Sequence, residues 1–183
     1  MEQPFMSGAA CELAALGIAS LRFQFPYMEQ RVRRPDPPPL CHATVRAAVR
    51  AAARLVPGLP LFAGGRSFGG RMTSQAQALE PLPGVRALVF LGFPLHPAGR
   101  PGLDRARHLA EVRIPMLFVQ GTRDALAERP LLESVLAQLG PHATPHWVES
   151  ADHSFHVPAS IGRDTEVRAA LLRAAAHWMG ARL

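Results

Sequence analysis

A chain of 183 residues with 48% hydrophobic and 19% charged side chains has the material for one domain with its own core, which excludes an intrinsically disordered protein. No apolar run approaches the ~20 residues that a membrane helix needs, and Cys11 and Cys41 are too few for a disulfide framework and lack metal-ligand spacing. The net charge of +6 is carried by arginine alone, with no lysine in the chain, and these dispersed arginines point to a compositional bias, not to a nucleic-acid surface.

Taken in order, the chain alternates short apolar runs with helical patterns, the signature of a parallel α/β sheet. Ser7 to Leu16 reads as a helix stopped by Gly17, and Ile18 to Phe25 as a strand closed by Pro26. A stiff loop rich in Pro and Arg follows, from Arg31 to Pro39. Over His42 to Val56 the residues Val45, Ala48, Val49, Ala52 and Val56 share one helical face, while Arg46, Arg50 and Arg54 form a solvated one. Leu59 to Gly64 is the next strand, and Gly69 to Leu79 the helix after it. Val85 to Phe93 and Pro115 to Gln120 are near-continuous apolar runs, as expected of strands covered on both faces. Pro130 to Leu139 is helical, His146 to Glu149 a short strand, and a last helix capped by Asp164 or Thr165 ends at Gly180. The fold class expected is a single α/β domain, a mostly parallel sheet flanked by helices.

The chemistry concentrates in Gly65-x-Ser67-x-Gly69, which an apolar strand enters and a helix leaves. Such a strand–turn–helix elbow holds a serine in a strained conformation with its oxygen exposed. Small residues at Gly65 and Gly69 let the turn tighten, and the Phe68 N–H at the helix start can donate to a developing oxyanion. A serine nucleophile needs a base, and the base an orienting acid, here in the chain order Ser, acid, His. Asp124 follows the strand ending at Gln120, and His153 follows the last strand, so order and loop placement agree. His156 is a rival base; Asp152 and Glu149 are rival acids, although Asp152 abuts His153 and has trouble facing it. His96 could reach the site as a substrate-binding group, or could simply pack in its loop. Eight scattered histidines without a paired-ligand motif speak for no metal and no cofactor.

Five segments in order, Phe23-Gln24-Phe25-Pro26-Tyr27, Gly64-Gly65-Arg66-Ser67-Phe68-Gly69-Gly70-Arg71-Met72, Gly92-Phe93-Pro94-Leu95-His96-Pro97, Gly121-Thr122-Arg123-Asp124 and Asp152-His153-Ser154-Phe155, resemble a bacterial branch of the α/β-hydrolases. That branch is related to dienelactone hydrolases and to testis-expressed and histone-acetyltransferase (NSL) complex proteins. The resemblance spans essentially the whole chain and implies a Ser67–Asp124–His153 triad. It further implies that a strand and a Gly-rich turn, which supplies a second oxyanion donor, come just before the stretch resembling Met1 to Met6. On that reading the chain is N-terminally shortened, and an upstream start is the favoured explanation. Five parallel strands are then expected, with a gap or a re-paired edge between Ile18–Phe25 and Leu59–Gly64.

The expected function is a cytoplasmic serine hydrolase acting on small acyl substrates, with no nucleic-acid or membrane partner and no signal peptide. The alternative is an inactive, hydrolase-like interaction module, since some relatives serve in complexes. The short stretch from Phe93 to Arg113 leaves no room for a lid domain, so an open site is expected, bordered by that stretch and by Arg34 to Pro39.

Overall fold

The computed structural model describes residues 4–183. Four strands form one parallel sheet, β1 (Leu61–Arg66), β2 (Val85–Leu91), β3 (Met116–Gly121) and β4 (Ala143–Val148), lying side by side in chain order. The helices are α1 (Pro4–Ala15), α2 (Pro26–Glu29), α3 (Pro38–Leu55), α4 (Phe68–Leu79), α5 (Arg129–Leu139) and α6 (Asp164–Gly180), with a 3₁₀ segment at Asp104–Glu111.

The two-residue period of the strands sorts their side chains onto two faces. Leu88, Phe90, Met116 and Phe118 point to one face, where they join Val45 and Val49 of α3, Met72 of α4 and Leu132 of α5. Ala87, Leu91, Leu117 and Val119 point to the other, against Ala9 of α1 and Leu171, Leu172 and Trp178 of α6. Both faces being covered is what makes β2 and β3 read as continuous apolar runs.

The last helix begins one residue earlier than a cap at Asp164 requires and two earlier than a cap at Thr165. Arg163 holds the capping position, and its backbone N–H donates to Glu166 Oε2 at 3.2 Å. Asp164 is instead engaged by His156.

The expected strand at Ile18–Phe25 does not form. That segment joins no ladder, so the described residues hold four strands and not five. Its alternation of apolar and polar residues suits a strand, but a strand exists only through a neighbour's hydrogen bonds. Between it and β1 lies a cavity of about 420 Å³, with Leu21–Phe25 on one wall and Gly64–Ser67 on the other. With no strand at Ile18–Phe25, β1 is the edge of the sheet and pairs only with β2, so neither the gap between two strands nor the re-paired edge expected there is found among the described residues. Met1–Gln3, at the start of the stretch tied to the Gly-rich turn, lie outside the described residues.

Candidate active site

β1 runs directly into Ser67, whose N–H donates to the Leu91 carbonyl at 3.1 Å, extending the β1–β2 pairing by one residue. Ser67 then turns the chain at φ 50°, ψ −118°, a left-handed conformation that a non-glycine residue rarely adopts. The Arg71 N–H donating to the Ser67 carbonyl at 3.1 Å anchors this turn to the first coil of α4. The tight approach of strand and helix falls on Gly65 and Gly70. A Cβ on Gly65 would stand 3.1 Å from the Gly70 nitrogen, and one on Gly70 would stand 2.7 Å from the Gly65 oxygen. Gly69, expected to be the crowded partner, has open space where its Cβ would be. The helix rotates position 69 away from the strand and brings position 70 onto it.

His153 comes from the loop after β4, and the structure brings it to Ser67. The distance from its Nε2 to the Ser67 Oγ is 2.8 Å. Its Nδ1 lies 2.7 Å from Asp124 Oδ2. A carboxylate only accepts, so Nδ1 carries the proton and Nε2 is left to accept from the serine hydroxyl. Asp124 sits in the turn after β3 and is 3% exposed, so the inner end of this chain of hydrogen bonds is shielded from water. Its Oδ1 also accepts the Leu126 N–H at 2.7 Å.

The rivals are occupied elsewhere. Asp152 Oδ1 accepts the N–H groups of Ser154, at 2.7 Å, and His156, at 3.0 Å, and so shapes the loop that carries His153. Glu149 accepts from the Thr122 hydroxyl at 3.2 Å. His156 bonds to Asp164. Arg66, between Gly65 and Ser67, donates to the Ser154 Oγ at 2.9 Å, fastening the elbow to the histidine loop. Burial pulls the Arg66 guanidinium below the ordinary arginine value, and the charge of Asp152 opposes that shift.

Phe68 occupies the first position of α4, where a backbone N–H has no intrahelical partner, and it borders the cavity beside Ser67. His96 is placed differently from its expected substrate-binding role. It is 2% exposed, its N–H donates to the Leu126 carbonyl at 3.1 Å, its Nδ1 lies 2.9 Å from the Pro97 carbonyl oxygen, and it is not among the residues lining the cavity. The loop following β2 curls back onto the Asp124 turn and takes the imidazole inward with it.

The cavity walls also depart from expectation. Neither Phe93–Arg113 nor Arg34–Pro39 lines the space next to Ser67; Leu21–Phe25 and the start of α2 wall it opposite Gly64–Gly69. There Phe25 and Tyr27 pack edge-on against Phe68, with ring centroids 5.5 and 6.2 Å away. In the sequence this stretch has the alternation of a strand, and its aromatic residues Phe23, Phe25 and Tyr27 are the local signal of a binding wall. A further residue at the site is Gln120, which is fully buried and touches Asp124. Among the described residues no group of three or more His, Cys, Asp or Glu could hold a metal ion, and no helix is long and apolar enough to cross a membrane.

Among solved structures, the chain is similar to an alpha-beta serine hydrolase homologue from Coxiella burnetii, at 21% identity and a TM-score of 0.74, over 95% of this chain and 77% of that one. It is similar to an a/b serine hydrolase without lid from Xanthomonas campestris, at 23% identity and a TM-score of 0.71, over 97% of this chain and 75% of that one. A third likeness is to Est1E from Butyrivibrio proteoclasticus, at 15% identity and a TM-score of 0.69, over 99% of this chain and 82% of that one. At these identities the likeness is one of fold. In sequence, the profile of the alpha/beta hydrolase domain family matches residues 1–180. With that match running nearly end to end, the chain belongs to the alpha/beta hydrolase family.

Proposed function

We propose that the protein is a serine hydrolase of small esters or related acyl compounds, with Ser67 as nucleophile, His153 as general base and acid, and Asp124 as the orienting acid. The observation that carries this reading is the continuous hydrogen-bonded line from Ser67 Oγ through His153 to Asp124, at 2.8 and 2.7 Å. The Ser67 oxygen attacks the substrate carbonyl carbon while its proton passes to His153 Nε2. The Phe68 N–H and the N-terminal end of the α4 dipole favour the charge that develops on the carbonyl oxygen. Collapse of the tetrahedral adduct breaks the bond to the leaving alcohol, which takes the proton from His153. Water then repeats the sequence on the acyl-serine and releases the acid. Asp124 holds the Nδ1–H tautomer throughout and faces the positive imidazolium when it forms.

The site opens directly into the cavity beside β1, whose walls are mainly apolar: Leu21, Phe23, Phe25, Met28 and Phe68, with Met6 nearby. Such a space suits a compact apolar acyl group. The motifs shared with the dienelactone-hydrolase-like branch fit this reading but name no substrate. Turnover of short aromatic esters such as p-nitrophenyl acetate, with Ser67→Ala as the blank, tests it; equal rates for the two proteins would refute it.

A second reading, an interaction module without turnover, is favoured by one observation. The edge of β1 facing the cavity joins no ladder and could receive a partner's extended chain. Under that reading partner capture is the same with Ser67 or Ala in place.

A further inference from the structure

We infer that Gln120 is a positioning residue that holds Asp124 in register with His153. The inference rests on the proposed triad chemistry. Gln120 is the next-to-last residue of β3, in the apolar run Met116–Gly121, and its side chain has no exposure to solvent. A buried amide needs partners for its donor and acceptor ends alike. Here both are met. Oε1 accepts the Phe93 N–H at 2.8 Å, and Nε2 donates to Asp124 Oδ2.

The orientation of the amide follows from its neighbours. A backbone N–H can only donate and a carboxylate can only accept, so the oxygen must face Phe93 and the NH₂ must face Asp124. A flipped amide would set two donors against each other at one end and two acceptors at the other. The same Oδ2 that takes the Gln120 donor also takes the His153 Nδ1–H. With Leu126 N–H on Oδ1, three donors from three different parts of the chain converge on one carboxylate and remove its freedom to rotate. Only one of the three, His153, belongs to the reacting machinery.

Gln120 also fixes where this carboxylate can lie relative to the rest of the sheet. Phe93 follows β2, and the adjacent Gly92 N–H donates to the Val119 carbonyl at 2.9 Å. Asp124 follows β3, and the His96 N–H crosses back to the Leu126 carbonyl at 3.1 Å. The Gln120 side chain is therefore the buried strut between two loops that both lie at the carboxyl ends of the strands. An apolar residue of similar size would fill the same volume while leaving the Phe93 N–H without a partner and Asp124 with one donor fewer.

Two variants separate positioning from simple structural support. Gln120→Leu removes both hydrogen bonds, and Gln120→Glu keeps an oxygen for the Phe93 N–H while replacing the donor that faces Asp124. Both should lower kcat for p-nitrophenyl acetate by about 10- to 100-fold with KM changed less than about 2-fold, well short of the ~10⁴ that loss of the acid's own function costs. Circular dichroism and thermal melting identify variants that remain folded. The second readout needs no turnover: the His153 Nδ1 proton, hydrogen-bonded to Asp124, should give a downfield ¹H NMR signal in the wild type that broadens or vanishes in Gln120→Leu. Folded variants with wild-type kcat and an unchanged His153 signal would overturn the assignment, as would a loss confined to KM. If the wild type itself turns over no ester, the hydrolase reading fails on that result alone. The NMR comparison then still decides whether Gln120 holds the Asp124–His153 pair.

Discussion

Gly65 and Gly70 touch backbone to backbone across the elbow: a Cβ on Gly70 would lie 2.7 Å from the Gly65 oxygen and 3.1 Å from the Phe90 ring. This contact sets how closely α4 approaches β1, and through it the place of Ser67. Gly69, one residue earlier, meets nothing within 4 Å. Gly70→Ala is therefore expected to destabilise the fold by about 1–3 kcal/mol, the usual cost of forcing a methyl group into packed space. Gly69→Ala should be neutral or stabilising by up to about 1 kcal/mol, because alanine suits a helix better than glycine. Urea denaturation of the two variants checks both. Equal destabilisation would mean that the elbow is not packed as described.

Asp124 and Asp152 flank the same histidine loop but act differently. Asp124→Asn should reduce kcat by about 10⁴, since an amide at that position favours the wrong imidazole tautomer. Asp152→Asn leaves the Nδ1 partner untouched and retains an oxygen for the Ser154 and His156 N–H groups. Its kcat should stay within about tenfold of wild type. Steady-state kinetics on one ester decides it.

How much of this was legible beforehand depends on the range of the interactions involved. The helix at Pro130–Leu139 and the elbow at Gly65–Gly69 are written in local patterns, and the structure places them within one or two residues of expectation. The pairing of Ser67, Asp124 and His153 was legible because the loops at the carboxyl ends of parallel strands converge. Ile18–Phe25 was misread because alternation records which residues could face a core, not whether a neighbouring strand is present to bond. For His96 the sequence leaves both substrate binding and packing open, because nothing local shows that its loop folds inward onto Leu126. Gln120 carries a signal of its own: a lone amide in an apolar strand must have buried partners.

Phe23 is 37% exposed on the wall of the cavity opposite β1; its ring packs edge-on against Phe25, with centroids 5.6 Å apart, and Phe25 in turn stacks on Tyr27. Phe23→Ala should lower kcat/KM for aromatic or branched acyl esters by about 10-fold, the size of effect expected for one lost apolar contact in a pocket. The rate with an acetyl ester should change little, because so small an acyl group does not reach that wall. A parallel loss for both esters would place the acyl group elsewhere.

His108 on the 3₁₀ segment is tied to α4 by its Nε2, 2.7 Å from the Ser74 hydroxyl, which donates to the Arg71 carbonyl. Burial first, then the charges of Arg71 and His42, push its pKa down from the ordinary 6.5 to about 4. The unfolded chain thus binds a proton at a higher pH than the folded one. The neutral histidine's contribution to stability is complete above about pH 6.5 and is lost as the pH falls toward about 4. Melting temperatures measured across that window should fall less steeply in His108→Gln than in wild type. Parallel slopes would remove His108 from the acid response.

The most direct measurement is covalent labelling by a fluorophosphonate probe, which reports an activated serine without knowledge of the substrate. The wild type should be labelled at Ser67, located by peptide mass spectrometry, while Ser67→Ala remains unlabelled and His153→Ala reacts orders of magnitude more slowly. A folded wild-type protein that takes up no probe, or takes it up equally with alanine at position 67, would contradict Ser67 as a nucleophile activated by His153.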